Sequence, residues 1–316
     1  MIDTTRPNRL SHRTASGLAA LMLALGQSPA VAAAPTPYDM INRAAASSPI
    51  TVHRLRGGVS MLEGSGGNIG VLVGRQGKLM VDCGIAVSQA KIERALAGLG
   101  PGKLRYAILT HWHWDHSDGD GWVRAAGATL IADRLAVRRL TQTNRIVEWG
   151  HTFTPIPASA LPNSVPTGDR TIHFEGETVR IRHYRAGHTD GDISVMFARA
   201  DILQTGDTFW NGMYPFIDYV TGGSIDGAIR AANANIALSG ERTLIIPGHG
   251  PVGDRKALVA FRDMLVSVRG RVAALKAQGK SLAQVQAAHP TADFDKDWGR
   301  SVIDGALFTA LVYRGV

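Results

Sequence analysis

Residues 110–117 read Thr110-His111-Trp112-His113-Trp114-Asp115-His116-Ser117. Three imidazoles and a carboxylate crowded this closely need something that binds them all, and a divalent metal does so. The apolar run Tyr106-Ala107-Ile108-Leu109 before the cluster reads as a buried strand, and Ser117-Asp118-Gly119-Asp120-Gly121 after it as a loop entering a helix. The ligands therefore leave the end of a strand. Side chains alternate along an extended segment, so His111 and His113 project to one side and can reach one metal. Asp115 and His116 lie where the chain begins to coil and point toward a second position. A zincin-type helical motif, with its histidines one turn apart, is excluded by the spacing.

Further along, His188 lies in Gly187-His188-Thr189, Asp207 in Gly206-Asp207-Thr208, and His249 in Pro247-Gly248-His249-Gly250, each after or beside a strand-like apolar run. With these in order behind the His-x-His-x-Asp-His cluster, the chain resembles the metallo-β-lactamase superfamily over nearly its whole length after the first 34 residues. The resemblance implies that His111, His113 and His188 hold one metal, that Asp115, His116 and His249 hold a second, and that Asp207 bridges them. It also implies an α/β fold, the four-layered αβ/βα sandwich with the metals along one edge. Asp82, in Val81-Asp82-Cys83-Gly84, matches a family position that supports the metal loop without binding metal, and a carboxylate there can orient a ligand histidine through its second nitrogen.

The pattern along the chain agrees with two βα halves. Residues 51–82 are strand-like with Gly-rich turns, and 88–99 read as an amphipathic helix. Helices are expected over 121–126, 134–143, 224–238 and 255–278, the last opening a helical C-terminal extension, and strands over 128–132, 178–183, 194–198, 202–205 and 243–246. No sequence repeat shows the duplication independently.

The first residues carry Arg6, Arg9 and Arg13, then an apolar stretch from Ala15 to Leu25, then small residues in Ala30-Val31-Ala32-Ala33-Ala34 before Pro35. This is the pattern of a secretory signal peptide over residues 1–34, with cleavage after Ala32 or Ala34, and the apolar stretch is far short of the roughly 20 residues that span a bilayer. The expectation is a periplasmic or secreted protein, a single hydrolase domain over residues 35–316, without stable membrane insertion. Cys83, the single cysteine, follows an apolar run and reads as a buried thiol. The formal charge of +8 includes the leader's arginines. The remainder is scattered, with Arg134, Arg138, Arg139 and Arg145 reading as a solvated helix face.

The chemistry implied is that of a dinuclear hydrolase. A bridging hydroxide attacks a carbonyl in a small-molecule ester, lactone, thioester or amide, and Asp115 orients the water or relays its proton. Zinc is the default metal for histidine-rich ligation, with manganese and iron as the alternatives that a bridging carboxylate admits. Two segments are expected to shape the pocket. They are Pro-rich 149–167 and aromatic 209–223, in which Tyr214 is the preferred candidate for hydrogen bonding to a carbonyl or leaving group.

Several functions compete with this one. By resemblance, zinc β-lactamases usually carry Cys or Ser where Asp207 stands, so periplasmic β-lactam hydrolysis is the runner-up. Export argues against a glutathione thioesterase, and no inserted domain of the nucleic-acid-cleaving members is present. The complete second ligand set, Asp115, His116 and His249, argues against a mononuclear iron sulfur dioxygenase. A non-enzymatic metal-binding protein is the last alternative.

Overall fold

The computed structural model describes residues 34–316; the expected signal peptide lies almost wholly outside them. Residues from Pro35 onward form one compact unit. Helix α1 (Pro37–Ser47) opens with a capping box between Thr36 and Asp39 and has Pro37 in its first turn. A meander then follows of β1 (Thr51–Arg54), β2 (Val59–Glu63), β3 (Ile69–Val73) and β4 (Lys78–Val81), before α2 (Gln89–Leu99) crosses to β5 (Leu104–Ile108). The metal loop carries a short helix α3 (Trp114–Ser117), then α4 (Asp120–Ala125) leads to β6 (Thr129–Ile131) and α5 (Arg134–Leu140).

The second half repeats this order. After a hairpin of β7 (Asn144–Ile146) and β8 (His151–Phe153) come β9 (Arg170–Phe174), β10 (Glu177–His183), β11 (Ile193–Phe197) and β12 (Ile202–Gln204). Helix α6 (Ile225–Leu238) crosses to β13 (Leu244–Ile246), which pairs with β14 (Gly253–Asp254). The sheet orders are β1-β2-β3-β4-β5-β6 and β14-β13-β12-β11-β10-β9. In each, four antiparallel strands are followed by a parallel neighbour reached through a helix, β4 to β5 and β12 to β13. The duplication without a readable sequence repeat is thus present in the topology.

Alternation of side chains builds the layers. Leu72, Leu79, Val81, Ile108 and Ile131 of the first sheet share one core with Val179, Val195, Ile202 and Ile246 of the second. The intervening Val71, Met80, Ala107 and Leu130, and on the other sheet Leu203 and Ile245, turn outward into a second core with Ile92 of α2 and Ile225 and Ala232 of α6. Strands buried on both faces read as continuous apolar runs. This is the αβ/βα sandwich expected.

After β14 come α7 (Arg255–Ala277), α8 (Leu282–Ala287), α9 (Ala292–Trp298) and α10 (Gly305–Gly315). Helix starts follow their caps: Asp133, Ser224, Asp254 and Asp304 each accept a first-turn N–H. Two local expectations are corrected. Residues 149–167, in which no strand was expected, contain one, since 151–153 pair with 144–146. The arginines of 134–145 are not one solvated face, because Arg145 lies in β7 and Arg139 pairs with Asp190 at 2.6 Å in a partly buried setting.

Candidate metal centre and active site

Every expected ligand follows a strand at one edge of the sandwich. His111 and His113 lie in the bent segment after β5, and Asp115 and His116 sit on α3. His188 lies between β10 and β11, Asp207 follows β12 and His249 follows β13. Because β4 and β5, and β12 and β13, run parallel, their ends bring these residues to a common place. The structure gathers His111, His113, His188 and Asp207 into one group, and Asp115, His116 and His249 into another, each with ligand atoms within 4.8 Å of one another.

Asp207 joins the groups. Its Oδ2 lies 3.4 Å from His188 Nε2, 3.8 Å from His111 Nε2 and 3.3 Å from His249 Nε2, and its Oδ1 lies 3.0 Å from His116 Nε2. Asp115 Oδ2 is 3.3 Å from His249 Nε2. Close backbone approach permits this crowding. A Cβ on Gly248 would stand 2.0 Å from Asp207 Oδ1, and one on Gly67 2.2 Å from the His116 ring.

The second nitrogen of four histidines is tied down. His116 Nδ1 meets Asp82 at 2.8 Å, His113 Nε2 meets Asp218 at 3.0 Å, His188 Nδ1 donates to the Phe216 carbonyl at 2.8 Å, and His111 Nδ1 meets Thr110 Oγ1 at 3.0 Å. Such contacts fix ring orientation and leave the opposite nitrogen for the metal. Asp82 does what the sequence suggested, and its carboxylate also accepts from Thr110 N at 2.7 Å and Thr110 Oγ1 at 2.9 Å. It holds a left-handed backbone, φ 66°, a sparsely populated region that its surrounding bonds sustain. His249 is held instead by its ring against Trp210, centroids 4.2 Å apart.

The sequence reading missed Asp218. It lies fully buried in segment 209–223 and accepts from Val220 N, Thr221 N and Thr221 Oγ1 as well as facing His113. A lone acidic residue amid aromatic neighbours was the available signal.

The donor set fits a divalent metal pair. His111 Nε2, His116 Nε2 and Asp207 Oδ1 are buried without a hydrogen-bond partner, a costly arrangement that a cation relieves. The charges are correspondingly polarised. Burial pulls His111 well below its usual range and His188 down to about 4. Burial also acts to lower His249, but the Asp207 and Asp115 carboxylates outweigh it and hold it at about 9.

A pocket of about 240 Å³ opens onto His113, Asp115, His188, Asp207 and His249. Its remaining wall is Ile41, Gly66, Trp114, Trp149, Trp210, Met213, Ser301 and Val302. Both expected segments contribute, through Trp149 and through Trp210 and Met213. Tyr214 does not line it, which corrects that expectation. The tyrosine is fully buried and stacked on Phe308 at 4.6 Å, and its hydroxyl donates to Asp295 Oδ1 at 2.9 Å. Its ring is covered by the C-terminal helices. Cys83 is buried, as expected.

The sequence pattern of the metallo-β-lactamase superfamily matches residues 62–249, and the chain belongs to that superfamily of hydrolases. No curated protein sequence matches it. Among solved structures, it is similar to the DIM-1 metallo-β-lactamase, with a TM-score of 0.55 and 18% identity over 69% of this chain and 97% of that one. The metallo-β-lactamase from Hirschia baltica is 20% identical with a TM-score of 0.55, covering 69% of this chain and 98% of its own. The inverting sec-alkylsulfatase Pisa1 from Pseudomonas sp. has a TM-score of 0.62 at 15% identity, and this chain, 88% covered, spans 51% of it. These likenesses are of fold. Among the described residues no helix is long and apolar enough to cross a membrane.

Proposed function

We propose that the protein is an exported, dinuclear zinc hydrolase that cleaves a small carbonyl substrate: an ester, lactone, thioester or amide. The observation that supports this best is the position of Asp207, whose two oxygens face histidines of both ligand groups at the floor of an open pocket. Seven nitrogen and oxygen ligands with histidine in the majority suit zinc. A bound metal pair supplies a nucleophilic water near neutral pH and polarises the carbonyl.

The chain's own residues do the rest. Asp207 holds the two groups in register, and Asp82, Asp218 and Thr110 fix the rings that define where the water sits. Asp115 is both a ligand and part of the pocket wall, so its Oδ2 is placed to orient the water and take its proton. The water oxygen bonds to the carbonyl carbon, the bond to the leaving oxygen, sulfur or nitrogen breaks, and the proton passes to the leaving atom. Trp114, Trp149 and Trp210 give the pocket an apolar wall beside the ligands. The basic, apolar, small-residue pattern of residues 1–34 supports export.

β-Lactam hydrolysis is the second reading, favoured by the named activity of two neighbours and disfavoured by Asp207. The test is metal content of the purified protein beside turnover of an ester, an acyl-homoserine lactone, a thioester, a chromogenic cephalosporin and an alkyl sulfate, with His113→Ala as control. About two zincs with control-sensitive turnover of one carbonyl substrate supports the proposal. One iron, or turnover only of the sulfate, overturns it.

A further inference from the structure

The superfamily match ends at residue 249 and begins at residue 62, yet the rim of the pocket is built by chain outside that span. Ile41 comes from α1, and Ser301 and Val302 come from the turn between α9 and α10. Both are anchored. α1 is tied through Tyr38 N to the Trp149 carbonyl at 3.3 Å and through the Tyr38 ring to Trp114, centroids 5.2 Å apart. The other element is tied through Tyr214 N to the Trp298 carbonyl at 2.8 Å and through Tyr214 Oη to Asp295. Tyr214 therefore acts at a distance, as a strut for the rim.

The chemistry of this wall is one-sided. Away from the metal ligands it presents Ile41, Trp114, Trp149, Trp210, Met213 and Val302, with Gly66 and the neutral hydroxyl of Ser301 as the remainder, and no lysine or arginine lines it among the described residues. Val302 is 43% exposed, a large apolar side chain left open where the pocket meets solvent. The cation next in sequence, Arg300, is exposed and not part of the lining. A substrate carrying a permanent anion remote from its scissile bond would bury that charge against indole and aliphatic surface with no partner. An uncharged acyl chain gains from the same surface.

Resting on the hydrolase reading above, we propose that this pocket selects neutral substrates with a medium-length apolar acyl group, held between Ile41 and Val302, and discriminates against substrates with a distal carboxylate or sulfate. The volume of about 240 Å³ holds such a chain with its carbonyl at the metal end. Ile41 and Val302 of the two terminal elements complete an apolar wall that Trp114, Trp149, Trp210 and Met213 begin.

The test uses zinc-loaded protein and p-nitrophenyl esters in two matched series. One is butyrate, pentanoate and hexanoate, and the other is the half-esters of glutarate and adipate, which match the last two in chain length and end in carboxylates. Expected are kcat/KM values that rise roughly two- to fourfold per added methylene in the neutral series, and a fall of about tenfold or more when the chain ends in carboxylate. Binding of 2-octanone, which is not hydrolysed, should change tryptophan fluorescence through Trp114, Trp149 and Trp210. The exposed position of Val302 makes Val302→Lys a variant that folds, and it should narrow the ratio of neutral to anionic kcat/KM at least several-fold, whereas Arg300→Ala leaves the ratio unchanged.

Equal or better turnover of the carboxylate-tipped esters, or an anionic preference lost in Arg300→Ala, overturns the selectivity while leaving the hydrolase intact. No His113-dependent turnover of any ester in either series, with 2-octanone still bound, overturns the acyl-ester selectivity, whereas the hydrolase reading falls only if the lactone, thioester and cephalosporin of the panel above are also left intact.

Discussion

His113 Nε2 lies 3.0 Å from Asp218 Oδ2, which turns His113 Nδ1 toward His188 Nε2, 2.8 Å away, at the first metal position. Asp218 is the end of a relay that begins in its own turn, where Val220 N and Thr221 N donate to its other oxygen. Asp218→Ala is expected to weaken the first metal about 10- to 100-fold, as measured by zinc competition against a chromogenic chelator. Unchanged zinc affinity in the variant would show that the ring is held by its neighbours alone.

Asp207 faces both ligand groups, and its loss should be felt by both. Asp207→Ala is expected to lower zinc content from about two per chain to one or none, with circular dichroism unchanged. Removal of Asp207 leaves His111 and His188 without a carboxylate opposite them and His116 and His249 with Asp115 alone on the metal side. Retention of full stoichiometry by elemental analysis would mean that the bridge is not required.

Asp82 combines a left-handed backbone with three hydrogen bonds and no exposure. Asp82→Ala strands a buried backbone N–H at Thr110 and frees His116, and the expected cost is about 3 kcal/mol of stability. Chemical denaturation of the zinc-loaded variant measures it. A loss below about 1 kcal/mol would assign the site's rigidity to other contacts.

The metal-free protein should lose stability as pH rises from neutrality. His249 is held at about 9 in the fold, above the ordinary histidine value. Protonation of His249 therefore stabilises the fold fully below about pH 6.5, and that contribution disappears as pH climbs through about 9. His116, which Asp207, Asp115 and Asp82 hold well above its usual range against the effect of burial, acts in the same direction. Zinc removes the dependence because it replaces those protons. Melting curves between pH 7 and 9, with and without a chelator, should diverge in the chelated sample alone.

Tyr214→Phe removes one hydroxyl that donates to Asp295 and leaves the ring stacked on Phe308. The expected outcome is a loss of about 1 kcal/mol in stability without the hundredfold or greater fall in kcat that removing a proton donor from the reacting centre produces. Steady-state kinetics beside urea unfolding separates the two.

What the sequence determined by itself was the local part of this protein. The spacing of His111, His113, Asp115 and His116 after an apolar strand depends on a few consecutive residues, as do the caps at Ser224 and Asp254, the alternation that makes a strand of 178–183 and the apolar run that makes one of 243–246. The later ligands, His188, Asp207 and His249, were readable only through the superfamily resemblance, whose order they complete behind the first cluster. Tertiary structure alone decided which side chains meet across long separations. Asp218 reaches His113 from 105 residues away, and Ile41 and Val302 close one pocket from opposite ends of the chain. Tyr214 and Met213 are neighbours in sequence, yet one is sealed among C-terminal helices and the other lines the site. No periodicity encodes that difference, because it is set by which apolar surface arrives to cover each residue, and that surface is assembled only when the layers pack.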